Sequence, residues 1–220
     1  KAFEQTSFNN NSFAVVVGNI PFGDYRVSDK AYDKHNFKIH DYFAAKSVDK
    51  VKPGGVVALV TSKFTMDKLN EKARRYLAER CDLLGAVRLP NTAFKQNAGT
   101  DILFLEKRET MTVEVPDWVH MSETADGIPC NKYFVDNPDM VLGTMAWDER
   151  MKGKYGDDSR VTTCVADESI PLSEQLKAAI AKIEGSIETV RAEEKQRDEA
   201  DIIPADPSVR NFTHTISRIP

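Results

Sequence analysis

Short apolar runs separated by charged, helically spaced stretches fill the first half of the chain. Residues 13–17 (Phe-Ala-Val-Val-Val) form a compact apolar run, as expected of a buried strand. Ile39, Tyr42, Phe43, Ser47 and Val51 fall near one helical face, so residues 39–51 are expected to be a helix. Pro53, Gly54 and Gly55 would stop it. Residues 56–61 read as a second strand. Asp67 is placed to cap a helix running to about Arg80, with Leu69, Ala73, Tyr76 and Leu77 inward. Residues 83–89, ended by Pro90, and residues 101–106 read as a third and a fourth strand. Strands alternating with helices predict the α/β class, with a mainly parallel sheet covered on both faces. Only residues 91–100 join the last two strands, which permits an antiparallel pair at one end of the sheet.

After Arg108 the periodicity decays. Pro116, Asp117 and Trp118, then Gly127 and Pro129, then Asn137 and Pro138 punctuate a loop-rich stretch. Residues 153–160 read as an exposed turn or hairpin tip. Residues 173–198 carry the clearest helical stripe, through Leu176, Ile180, Ile183, Ile187 and Val190, with Ser173 placed to cap it. The expected organisation is an α/β unit over 1–108, a loop-rich extension over 109–170, an amphipathic helix over 171–200, and a tail or linker over 201–220. No internal repeat or low-complexity tract interrupts it.

With 220 residues and 41% hydrophobic content, the chain can bury one sizeable core and a small appendage. Neither a membrane span nor a cleavable signal peptide is expected from its pattern. Cys81, Cys130 and Cys164 are odd in number and widely spaced, which suits reduced thiols in the cytoplasm rather than a disulfide framework. His35, His40, His120 and His214 form no metal-like pair. The net charge of -4 is unevenly spread. Residues 1–49 hold 6 basic and 6 acidic side chains, residues 50–108 hold 12 and 6, and residues 109–220 hold 12 and 22. The basic middle could face a phosphate backbone or simply form a solvated helix face. Lys63, Lys68, Lys72, Arg74 and Arg75 are its candidate phosphate contacts.

The densest chemistry lies where the first strand ends, at Gly18-Asn19-Ile20-Pro21-Phe22-Gly23. An Asn side-chain carbonyl accepts a hydrogen bond from an exocyclic amine. A Pro stiffens the backbone, so a neighbouring main-chain carbonyl becomes a second fixed acceptor. A Phe stacks on the ring of an extruded base. Two in-plane acceptors leave the amine lone pair out of the ring plane, ready to attack a methyl group. Gly23 would let the chain turn close to the substrate. His35, His40 and Asp41 follow closely and suit either the pocket mouth or a packing and capping role.

This run resembles the Asn-Pro-Pro-Phe/Tyr motif of the amino-group methyltransferases, which methylate adenine N6 or cytosine N4 with S-adenosylmethionine. Ile20 stands in place of the first Pro. It keeps the backbone carbonyl and loses the ring's rigidity. The segments Pro53-Gly54-Gly55, Thr61-Ser62-Lys63, Arg88-Leu89-Pro90 and 94–104 resemble the N6-adenine branch. The likeness covers residues 1–108, and within the family it is to the methylase portion of large methylase–helicase proteins of bacterial mobile elements. It implies a partial Rossmann-like sheet with only the later strands, closed by an antiparallel pair.

The resemblance further implies S-adenosylmethionine as cofactor, DNA as partner, and helicase domains on the same polypeptide. Asn19, Ile20, Pro21 and Phe22 would form the base pocket. Phe3 would match the aromatic beside the cofactor adenine, and Asn19 would also border the cofactor. Ala2 stands where that site has an acidic residue, with Glu4 adjacent, and Ala14 where the family often has Asp. The family's Gly-rich cofactor loop has no counterpart, since no Gly-x-Gly occurs in the sequence. The expectation is a chain that begins inside the catalytic domain and depends on an upstream half for activity. Its first strand would then expose a sheet edge, so the isolated chain would pair that edge or be marginally stable. Methylation of an RNA base or a glutamine amide, or a non-catalytic DNA-binding module, are the alternative readings.

Overall fold

The computed structural model describes residues 2–94, 99–152 and 161–185. Its centre is a four-stranded sheet built from β1 (Phe13–Asn19), β2 (Val51–Ser62), β3 (Cys81–Leu89) and β4 (Thr100–Lys107). The spatial order is β1-β2-β4-β3. β1 runs parallel to β2, and β4 is antiparallel to both β2 and β3. The fold is therefore α/β with the expected antiparallel closing pair, and β4 inserts between its two predecessors. Val57, Leu59, Val87, Leu103 and Leu105 are buried to 1% exposure or less. Each contributes about 1.5–3 kcal/mol through removal of its apolar surface from water.

Helix α1 (Ile39–Lys50) crosses from β1 to β2, and α2 (Phe64–Asp67) and α3 (Lys72–Ala78) connect β2 to β3. The helix expected over 67–80 is thus found only over Lys72–Ala78, with a separate short helix before it. Asp67 ends that short helix instead of capping α3, and Leu69, expected inward, is 84% exposed in the break. Pro53, Gly54 and Gly55 fall inside β2, where the pairing with β1 shifts register between Phe13 and Val15. Gly54 takes a positive φ of 72° there. A Cβ on Gly55 would lie 2.6 Å from the Ala14 carbonyl oxygen, so only glycine lets the two strands approach.

The loop-rich stretch folds back onto the sheet. Strands β5 (Met121–Glu123) and β6 (Pro129–Asn131) form a hairpin, followed by α4 (Lys132–Asp136). Strands β7 (Thr144–Trp147) and β8 (Thr162–Val165) form a second antiparallel pair. Trp118, Val119, Cys130, Phe134, Met140 and Leu142 join the same apolar core as the sheet. Helix α5 (Leu172–Ile180) is shorter than the helix expected over 173–198. The residue before it is Pro171, and Ser173 lies inside it without capping it. The proposed hairpin tip at 153–160, residues 186–198 of the expected helix and the tail over 201–220 lie outside the described residues. Among the described residues no helix is long and apolar enough to cross a membrane.

β1 is an edge strand. Phe13, Val15 and Val17 share one side of it at 37%, 40% and 74% exposure. Such an edge is a template for pairing with another strand. Sedimentation of the 220-residue chain is expected to show concentration-dependent self-association, suppressed by Val17→Lys. A monomer at every concentration would contradict this.

Candidate functional site

The carboxyl ends of β1, β2 and β3 and the start of β4 lie along one rim of the sheet, as the pairings Asn19↔Val60, Ser62↔Thr100 and Leu89↔Thr100 require. Ligands of open α/β sheets bind outside this rim. Asn19, the last residue of β1, is exposed and makes no side-chain hydrogen bond among the described residues. Ile20 donates its backbone N–H to the Val60 carbonyl at 3.0 Å, and its side chain is 5% exposed. Burial thus anchors the residue that lacks the proline ring. Phe22 is half-buried and packs against the apolar core. A Cβ on Gly23 would meet the Tyr25 ring at 2.5 Å, so the chain turns tightly after Phe22.

Phe3 packs against α1. Its ring lies 4.9 Å from Phe43 and 6.2 Å from Tyr42, with the Lys46 ammonium 4.9 Å from its centroid. The Lys46 ammonium also donates to the Phe3 carbonyl at 2.7 Å. These contacts pack part of the Phe3 ring, which stays partly exposed.

Two of the five cations read as phosphate contacts are buried. Lys63 is 5% exposed, and its ammonium donates to the carbonyl and, at 2.8 Å, to the hydroxyl of Thr162. Arg74 is 1% exposed and donates from Nε to the Val119 carbonyl at 2.5 Å. Both hold the 109–165 extension and cannot reach a DNA backbone without unpacking it. Lys68 pairs with Asp41 at 3.2 Å and Arg75 with Glu71 at 2.6 Å, while Lys72 is exposed.

Burial depresses the Lys63 ammonium to about 8. The unfolded chain, with an ordinary lysine near 10.4, then binds more protons than the native state between those values. Wild-type stability is therefore expected to rise relative to Lys63→Gln as pH climbs from 8 toward 10. Urea unfolding of both proteins at pH 7.5 and 9.5 reads the difference, and a pH-independent gap would refute it.

Sequence reasoning missed the buried ion network on the same rim. Arg88 grips Asp101 through two bonds of 2.9 Å and Asp67 through one of 2.6 Å. Its guanidinium lies 4.3 Å from the centre of the Phe134 ring. Asp67 also accepts the Asn131 backbone N–H at 2.9 Å, and Asn131 donates to the Met66 and Trp118 carbonyls. Burial pushes the Asp101 carboxyl up, and the Arg88 charge opposes that shift. The available signal was the presence of Arg88 and Asp101 inside otherwise apolar strand patterns.

Another missed feature is a set of buried atoms without hydrogen bonds at the start of α1. His40 and Asp41 are 6% and 3% exposed, yet both ring nitrogens of His40 and Oδ1 of Asp41 make no hydrogen bond, His40 Nε2 lying 3.6 Å from Asp41 Oδ1. Burial holds the His40 imidazole below its usual range. All three cysteines are buried, and burial pushes the thiols of Cys81 and Cys164 up to about 12 and that of Cys130 to about 11.

Residues 1–94 match the family model of the Eco57I restriction-modification methylase. Over 162 residues the chain is 33% identical to the "Defense against restriction protein B" of Escherichia phage P1. That match covers 70% of this chain and 6% of the phage protein, so the chain spans a small part of that relative's length. Among solved structures, a putative class I S-adenosylmethionine-dependent methyltransferase from Listeria monocytogenes overlaps 48% of this chain and 34% of its own, at 23% identity and TM-score 0.38. The M protein of the type I restriction enzyme EcoKI overlaps 44% and 21%, at 24% identity and TM-score 0.37.

Proposed function

We propose, from the match of residues 1–94 to the Eco57I restriction-modification methylase family model, that the polypeptide carrying this chain methylates adenine N6 in DNA, and that this chain supplies the target-base pocket. The observation that carries the reading is the placement of Asn19-Ile20-Pro21-Phe22 at the carboxyl end of a parallel strand, with Asn19 exposed and Ile20 anchored by burial. The Asn19 side-chain carbonyl and the Ile20 backbone carbonyl would accept the two amine hydrogens. Pro21 would hold the turn, and Phe22 would stack on the extruded base. S-adenosylmethionine supplies the methyl group, bound largely by residues beyond this set. The proton leaves after nitrogen becomes cationic, so no strong general base is needed.

The partly exposed Lys68, Lys72 and Arg75 support the basic face toward DNA, and Lys63 and Arg74 are removed from it. The unpaired β1 edge suits an upstream part of the same sheet, and further domains on the polypeptide suit the small share of the phage relative that the chain spans. Phe22→Ala is expected to lower methyl transfer about 10-fold, through loss of about 1–3 kcal/mol of base stacking, with Phe22→Tyr close to wild type. Equal activity in all three proteins would remove Phe22 from the pocket.

A further inference from the structure

A cavity of about 240 Å³ opens three residues beyond the Phe22-Gly23 turn. Four cations from two separate segments line it: Arg26 and Lys38 from the segment before α1, and Lys68 and Lys72 from the break before and the start of α3. Lys38 pairs with Asp24, and Lys68 with Asp41. Arg26 and Lys72 are exposed, and neither side chain forms an ion pair or hydrogen bond among the described residues. The cavity is tied to the turn through the Ile39 N–H, which donates to the Tyr25 carbonyl at 2.9 Å, and through Gly23, which abuts the Tyr25 ring. Burial, together with the Lys34 and Lys72 charges, holds the His35 imidazole in its wall below the usual range. Asp41 lines the same cavity and is 3% exposed. One of its oxygens meets Lys68, and the other accepts no hydrogen bond and lies 3.6 Å from His40 Nε2.

A buried acceptor without a donor is costly unless a ligand supplies one. A ligand that suits this cavity therefore carries a negative group for the cations and a hydrogen-bond donor for Asp41. A nucleotide in a DNA strand offers both, through its phosphodiester and its base N–H groups. We propose that this cavity seats the nucleotide adjoining the target base on the same DNA strand, with Arg26 and Lys72 on its phosphodiester and Asp41 on its base. This assignment rests on the base-pocket reading of Asn19 to Phe22. It makes Asp41 a reader of the neighbouring base, paired with Lys68 on the backbone side.

The test measures binding of the 220-residue chain to a short fluorescent single-stranded DNA by anisotropy across a salt series. Arg26→Gln with Lys72→Gln removes two phosphate contacts and is expected to flatten the log K against log salt slope by about 1.4, at about 0.7 per contact. A control pair, Lys30→Gln with Lys177→Gln, removes two exposed charges outside the cavity. An unchanged slope in the cavity pair, an equal change in the control pair, or absence of wild-type binding overturns the proposal. So does inorganic phosphate that displaces DNA beyond its ionic-strength effect, since that marks a site for the free anion. Asp41→Asn is expected to change which neighbouring base is preferred, and an unchanged preference removes it as a reader. If the cavity pair behaves as described but Asn19→Ala leaves methyl transfer by the full polypeptide unchanged, the base-pocket reading fails, and with it the placement of the neighbouring nucleotide, while the cavity keeps its phosphodiester contact.

Discussion

Asn19→Ala is expected to reduce methyl transfer by about 10²–10³-fold while leaving the unfolding transition in place. The magnitude follows from removal of one preorganised hydrogen-bonding group at a reacting centre. The amine would keep the backbone acceptor of Ile20 and lose the side-chain acceptor that fixes its orientation. Stability is spared because the Asn19 side chain is exposed and makes no hydrogen bond among the described residues. Such a position changes folding free energy by about 0.5 kcal/mol or less. Single-turnover transfer with wild-type and variant protein, alongside urea unfolding of each, separates the two effects. Full activity in Asn19→Ala would take this residue out of the chemistry.

Asp101→Ala is expected to have the opposite profile, a loss of about 3–5 kcal/mol in stability. The Asp101 side chain is 0% exposed and receives two bonds from Arg88, itself 2% exposed. Removing the carboxylate strands much of a buried guanidinium charge, with only Asp67 left to hold it. The damage would spread, because Asp67 also holds Asn131 and Asn131 holds the Met66 and Trp118 carbonyls. The extension is therefore expected to loosen from the sheet before the sheet melts. Urea denaturation followed by fluorescence of Trp118 and Trp147 would show this as an early or shifted transition. A midpoint within experimental error of wild type would contradict the role given to the network.

Local pattern carried the sheet. The valine run of β1, the apolar strands on either side of α3 and the short link before β4 were each readable from neighbouring residues. So was the turn at Asn19, because its residues are contiguous. What local pattern could not carry were contacts set from afar. Arg74 falls in a basic helix and reads as a solvated cation, but the Val119 carbonyl, 45 residues away, takes its guanidinium inward. Lys63 is drawn in by Thr162, 99 residues on. Asp67 reads as a helix cap, yet its partners Arg88 and Asn131 lie 21 and 64 residues downstream. With Asp67 spent on that network, the helix begins later and Leu69 is left outside. Phe3 follows the same rule, since its ring finds Phe43 and Lys46 across the fold.

The extension therefore belongs to the physics of the site. It supplies Val119, Asn131, Phe134 and Thr162, and these fix the positions of Arg74, Asp67, Arg88 and Lys63 along the carboxyl rim. On the proposed reading, this rim is braced on one side and the β1 edge is left open toward the part of the polypeptide that would hold the cofactor.

The most direct test is radiolabelled methyl transfer from S-adenosylmethionine to unmethylated DNA by the full polypeptide, with Asn19→Ala beside it. The account predicts label on adenine N6 that is lost in the variant. A folded protein that binds cofactor and DNA yet leaves adenine unlabelled would contradict it.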